Sequence, residues 1–355
     1  MSHGQVTNFP HDPILDLDPW VGQRQASFRF QLINGITGEQ KGDIHPIRTA
    51  SLSHDTSRTI KRQLSIDLGV ADTVTVNPLT DRILVYMVFP SGVEYPLGQY
   101  MFTDVSRATW TSGQLGSMVL NDEMFLVDQQ IEEGINGVGA NMSSLIVEVL
   151  DGLPVTFQIE VSPFSSAEAW TIGTSRGQIL EALAVSGDYF SPWFGNDGNL
   201  HFIRTFDPAS KIPDFDWDVG NKVIRNSVIE TDDLLTAPNR IIVVSNAADD
   251  PSEKVVATAD IPSTAPNSIA NRGFVIPEVL NLQLSNQAQA SAVASGIAQR
   301  MTVFERTGIT TAPDPRHDSY NVIQWQGEKW LELAWTLPLV EGAAMSHLLR
   351  KAYGQ

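Results

Sequence analysis

Along the first third of the chain, apolar and polar residues alternate in short runs. This is the period-two signature of strands with one buried face. "SFRFQLI" (27–33) and "RQLSIDLGV" (62–70) show it, and in the second Leu64, Ile66 and Leu68 share one face. "DRILVYMVF" (81–89) is apolar on both parities and reads as a buried strand. Pro90-Ser91-Gly92 then turns the chain into "VEYPLGQYMFTDVS" (93–106), where Tyr100 and Phe102 alternate with polar neighbours. Short strands separated by turn signals predict a small barrel or sandwich over residues 26–125.

Beyond about residue 125 the period changes. "NMSSLIVEVLDGLP" (141–154) predicts a short helix capped by Ser143 or Ser144 and stopped by Gly152 and Pro154. "TSRGQILEALAVSGDYF" (174–190) predicts a second, with Ile179, Leu180, Leu183 and Ala184 as its apolar stripe and Gly187 at its end. Asn196-Asp197-Gly198 predicts a hairpin turn. Residues 126–225 thus form an α+β insert. In the last region, 226–355, "APNRIIVVSNA" (237–247) and "EKVVATADI" (253–261) read as strands. A packed helix follows at 286–304, with Val293, Ile297, Met301 and Phe304 on one face. The stretch "PDPRHDSYNVIQWQGEKWLELAWTLPL" (313–339) closes the region as a hairpin turning at Gln326-Gly327. "DRILV" (81–85) and "NRIIV" (239–243) echo each other, which fits two related β-lobes. Residues 1–25, rich in Pro, Asp, Gly and Asn, read as an extended arm.

Charge narrows the range of partners. Over 355 residues, 41 Asp and Glu against 23 Lys and Arg give a net charge of −18. Tight nucleic-acid binding needs cations that displace counterions, so this balance argues against it while permitting a surface that DNA slides past. There are no cysteines, which excludes disulfides, thiol catalysis and Cys-ligated zinc. The amino-terminal stretch has no basic and apolar succession of a signal peptide, and no apolar run has the length of a membrane span. The expectation is a protein made in the cytoplasm, with no stable membrane binding and no cofactor.

The candidate chemistry is thin. His11-Asp12, His54-Asp55 and His317-Asp318 lack the additional ligands at fixed spacing that metal or proton-relay sites bring. Arg316-His317-Asp318 reads as a polar turn, so replacing His317 is expected to leave assembly nearly intact. "GINGVGANMSS" (134–144) follows no buried parallel strand and carries no Lys, so it is a flexible loop rather than a phosphate cradle. Glu328, Trp330 and Glu332 share one strand face and are expected to be solvated or interfacial, the candidate interface residues of the chain. Trp325 and Trp335 fall on the apolar parity with Ile323, Leu331, Leu333 and Leu337, which puts them in the core. No catalytic, cofactor or metal residue is assigned.

The order "DRILVYMVFPSGVEYPLGQYMFTDV", "SRGQILEALAVSGDYFSPWFGNDGNLHF", "TAPNRIIVVSN", then "PDPRHDSYNVIQ…WTLPLVEGAAMSHLLRKAY" is similar to phage tail hub proteins, the minor tail proteins of long-tailed phages infecting actinobacteria. More distantly it resembles the baseplate hubs of contractile phages and the base of secretion-system spikes. The similarity runs from about residue 26 to the end. It implies two tail-tube-like β-lobes separated by an insert, and a homotrimer whose six lobes form a ring at the virion tail tip. It further implies assembly in the host cytoplasm, no enzymatic activity, and as partners the distal tail or tail tube protein, the tape measure protein and other tip or fibre proteins. DNA would meet the chain only in transit through the lumen. Two other classes remain open from the residues alone: a tail-tip enzyme that degrades cell wall, and a host-glycan-binding adhesin module.

Overall fold

The computed structural model describes residues 26–70, 76–103, 114–219, 222–226, 230–231, 236–245, 255–301 and 305–353. The expected arm (1–25), His11-Asp12 and the helix-face residue Phe304 lie outside them. The chain is mainly β with an α+β insert, and among the described residues its strands form open sheets and no closed barrel.

Seven strands build the first region: β1 (Ser27–Asn34), β2 (Gln40–Ile44), β3 (Pro46–Asp55), β4 (Arg62–Val70), β5 (Asp81–Val88), β6 (Glu94–Phe102) and β7 (Gln114–Asn121). The insert contributes helices α1 (Met142–Leu150) and α2 (Arg176–Ser186) with strands β8 (Thr156–Ile159), β9 (Trp193–Phe194) and β10 (Asn199–Phe202). After it come β11 (Val223–Asn226), β12 (Arg240–Ser245), β13 (Val255–Asp260), β14 (Pro277–Leu282) and α3 (Gln287–Arg300). The chain then runs through β15 (Glu305–Thr311), β16 (Val322–Trp325), β17 (Glu328–Pro338) and β18 (Met345–Lys351).

Among the described residues a single fourteen-stranded sheet passes through both halves of the chain, in the order β11-β15-β18-β17-β3-β4-β7-β6-β5-β1-β2, with β16 on β17 and the two-residue strands Phe215–Asp216 on β16 and Glu230–Thr231 on β15. The seam is antiparallel pairing of β17 with β3, where Trp335 faces His54 and Leu337 faces Leu52. The strands after residue 226 therefore divide. Those of 305–351 extend the first region's sheet, whereas β12, β13 and β14 form a separate three-stranded sheet covered by α3. Leu32, Leu52, Leu64, Ile83, Tyr100 and Leu120, one from each of six strands, share one core with Trp335, Leu337 and Met345. Strands far apart in the sheet order meet in that core, so the sheet curls around it.

The echoed strands β5 and β12 are both central, but β5 has two antiparallel neighbours whereas β12 runs parallel to β14. In the insert, α1 is capped by Asn141, whose side chain accepts from the backbone N–H groups of Ser143 and Ser144, so the cap lies ahead of both serines expected to cap it. Helix α2 starts at the cap Ser175, ends at Gly187, and buries Ile179, Leu180, Leu183 and Ala184. The turn at 196–198 joins antiparallel β9 and β10. Gln326 and Gly327 both have positive φ (54° and 74°), the two-residue hairpin geometry that suits the twist of paired strands.

The solvated face expected for Trp330 and Glu332 is a correction: in the folded chain Trp330 is 3% and Glu332 1% exposed, and of the three only Glu328 is exposed. Two features break the simple alternation. Ile323 pairs directly with Trp330, so it shares a face with Trp330 rather than with Leu331. A bulge between Glu332 and Ala334 then inserts one residue, which returns Trp335 and Leu337 to the same side as Trp330 and Glu332. The opposite side is also covered, because Leu331 packs with Phe190, Trp193, Tyr320 and Val322. Around Trp330, Leu331 and Glu332 the strand lies between two apolar layers and has no solvent face.

Candidate functional site at the junction of lobe, insert and final hairpin

The segment 312–321, between β15 and β16, is where three regions meet. Asp318 occupies the centre. Its Oδ1 accepts from Arg62 Nη2 (2.6 Å) at the start of β4 and from Trp193 Nε1 (2.8 Å) in the insert. Asn196, at the tip of the β9–β10 turn, accepts from Arg62 Nη1 (2.6 Å) and donates to the carbonyls of Pro315 and His317. The Arg62 guanidinium lies 5.4 Å from the Trp335 ring centroid, and His54 stacks on the same indole at 5.5 Å. Arg62 is 1% exposed. Burial is the largest single influence and opposes its charge, but Asp318, Tyr100 and Asp122 together outweigh it and hold its pKa above the usual value. Its neighbour Lys61, equally buried, donates to Ser191 Oγ (2.6 Å). Two cations from the first lobe thus grip the insert and the closing loop together.

On the other side of this loop a second buried group forms. His317, Glu332 and His347 come from the loop, β17 and β18. Glu332 Oε2 lies 2.8 Å from His317 Nδ1, and Oε1 lies 2.6 Å from His347 Nδ1. Each imidazole donates to one carboxylate oxygen, and His347 Nε2 lies 2.8 Å from the Thr311 hydroxyl oxygen. Phe215 is stacked on His317 at 4.0 Å, and Trp217 meets His347 edge-on at 5.0 Å. Burial works against a charge on either ring. At His317 the attraction and hydrogen bond of Glu332 win and raise its pKa; at His347 burial and the neighbouring His317 keep it low. Glu332 is itself burdened by burial, but the two histidines hold it below the ordinary carboxyl range. One carboxylate therefore balances one imidazolium.

The ligand atoms of these three residues all lie within 4.8 Å of one another, and two imidazoles with a carboxylate are a donor set that zinc accepts. Yet both imidazole–carboxylate contacts have hydrogen-bond lengths, and aromatic rings pack over both histidines. The arrangement is a satisfied polar network that ties loop, β17 and β18 together.

Of the three His-Asp pairs, His54-Asp55 and His317-Asp318 are brought to the same junction, with Ser319 Oγ 2.8 Å from His54 Nε2. His317 is no exposed turn residue, which reverses the expectation that its replacement is harmless. No linear spacing announces the cluster, since its members are fifteen residues apart each time. The available signal was Glu332 itself: an acidic residue inside the apolar run "WLELAW" must find partners when the strand is buried. Of the candidate interface residues, Glu328 stands 3.1 Å from Lys351 Nζ at the outer end of the hairpin.

No protein-family model and no curated protein sequence matches the chain. Solved structures do. A tail protein from Neisseria meningitidis superposes with a TM-score of 0.61 at 15% identity, covering 92% of this chain and 97% of that one. The 43 kDa tail protein of prophage MuSo2 from Shewanella oneidensis gives 0.55 at 10% identity, covering 91% and 98%. A prophage tail protein from Listeria monocytogenes gives 0.54 at 8% identity, covering 91% and 94%. At such identities the likeness speaks to the fold, and it extends over nearly the whole length of each chain. The chain has the fold of prophage tail proteins, in keeping with the resemblance carried by its sequence.

Proposed function

We propose that the chain is a structural component of a phage tail, a hub of which three copies form a ring at the tail tip. The observation that carries this reading is the full-length fold likeness to three tail proteins of separate bacterial sources. In this reading the ring adapts the sixfold tail tube to threefold tip proteins and bounds the channel for the genome and the tape measure. The first lobe and the 226–355 region are the two tube-like units of each copy, and the insert lies between them. Its partners are the tail tube or distal tail protein, the tape measure and other tip proteins, with Glu328 at a contact between copies.

The sheet supports a ring in a second way. Its path ends at β2 on one side and β11 on the other, so among the described strands each copy offers two different sheet edges. Edges of this kind find partners by strand addition, and a closed ring satisfies every one of them. The net charge of −18 suits a lumen that repels phosphate and lets DNA slide.

Electron microscopy of the purified chain tests the proposal: threefold rings with a central opening are expected, and open filaments would refute it. Zymography on host peptidoglycan tests the enzyme alternative, for which a cleared band would replace the structural reading.

A further inference from the structure

Between the insert and the final hairpin lies a cavity of 280 Å³ whose wall includes Arg300, Arg350, Tyr320, Ser191 and Glu181. Arg350, on β18, is 6% exposed; it donates Nη1 to the carbonyl of Arg300 (2.6 Å), and its Nε is buried with no partner. Arg300 is the last residue of α3. Among the described residues neither guanidinium forms an ion pair. The carboxylates nearby are engaged elsewhere. Glu181 accepts from the Ser191 hydroxyl and stands 3.6 Å from Lys61 Nζ, while Asp188 accepts from Arg204 (2.9 Å) and from the Thr205 hydroxyl. Arg306, directly across the strand pair from Arg350, adds further positive charge. Burial, with Arg300 and Arg306 nearby, lowers Arg350 to about 10.

A buried guanidinium without a carboxylate is costly, and a chain with 41 acidic residues has no shortage of partners to place there. Tyr320 adds a hydroxyl whose bond to the Ser191 carbonyl is long (3.4 Å), leaving it able to turn into the cavity. The residue is held at a φ of 58°, which few non-glycine residues adopt. The fork of an arginine matches phosphate and carboxylate oxygens, and two such forks on one wall form a receptor for an oxyanion.

We propose that this cavity binds a small oxyanion, a phosphate or carboxylate group, between Arg300 and Arg350, with the Tyr320 hydroxyl as a further donor. The site is independent of the tail assignment. Titration calorimetry and thermal melting of the full chain with sodium phosphate, and separately sodium acetate, against sodium chloride at matched ionic strength test it. Saturable binding and a raised melting temperature are expected with at least one of the two anions. A response to phosphate alone identifies a phosphoryl ligand, and a response to acetate identifies a carboxylate such as an acidic side chain. Arg300→Gln should weaken binding by about tenfold or more, since it removes charge-assisted bonds. Arg350→Met should abolish it; if that buried variant does not fold, Arg300→Gln decides. Arg240→Gln, at a remote ion pair with Asp260, should bind as the parent does. No saturable heat with either anion, or an equal response in Arg300→Gln, would overturn the proposal and leave only a general salt effect.

Discussion

In the first lobe, Leu32, Leu52, Leu64, Ile83 and Leu120 arrive from five strands and are wholly buried; at the junction beside it, an equally buried set is polar: Arg62, His317, Glu332 and His347. The two regions touch at Trp335, which belongs to the apolar core and also lies beneath Arg62 and His54. Apolar burial is non-directional and tolerates small shifts, so it favours a curled sheet without dictating which segments lie across its outer end. Hydrogen bonds to Asp318 and Glu332 are directional and lost if the partner is misplaced, so they define how lobe, insert and hairpin sit against one another. The hub proposed above, which would transmit contacts between tube and tip, needs both properties.

The largest expected effect comes from Trp335, where the two regions meet. Trp335→Asp places an unpaired charge in the core and is expected to leave no cooperative thermal unfolding transition, whereas Trp335→Ala should fold at a cost of about 3–5 kcal/mol by urea denaturation. Asp318→Ala separates the regions: it leaves the apolar core intact but strands the buried Arg62. A loss of about 3 kcal/mol is expected, together with faster proteolysis between the first lobe and the insert. If limited proteolysis were unchanged, the junction would not be what holds the insert.

Glu332→Gln keeps the shape of the cluster but cannot accept from both imidazoles. It should cost about 2 kcal/mol. It should also remove a pH dependence: His317 is raised in the fold above its ordinary 6.5, so its contribution is full below 6.5 and is lost as pH rises through the raised value. In the variant, the NMR titration of His317 should move to lower pH. The smallest effect concerns Glu123, which burial raises to about 7 despite Arg82 and the hydrogen bond from Gln99. A carboxyl raised in the fold costs nothing below its unfolded value near 4.5, and its penalty grows as pH rises from there through 7. Glu123→Gln should therefore match the parent at pH 4 and exceed it by about 1–2 kcal/mol at pH 8.

The contrast between the two regions is also a contrast in what a sequence displays. Alternation in "RQLSIDLGV" and the run "DRILVYMVF" announce strands, because neighbours in the chain report on one face. The stripe of α2 was legible for the same reason. The join of β17 to β3 was not, since it pairs residues about 280 positions apart, and the bulge at Leu333 that brings Trp335 and Leu337 to the side of Trp330 leaves no mark in a two-residue period. The junction was hidden further, because Arg62, Asn196, Asp318, Glu332 and His347 become neighbours only once the sheet has formed. What the chain did show was a charge inside an apolar run, and that is the mark to search for in similar hairpins.

The central claim is that copies of this chain close into a threefold ring, and light scattering on the purified full-length protein tests it most directly. A particle of three times the 38.9 kDa chain mass, unchanged on dilution, is the predicted result. A stable dimer, or one chain per particle even at high concentration and with the tube protein added, would contradict it.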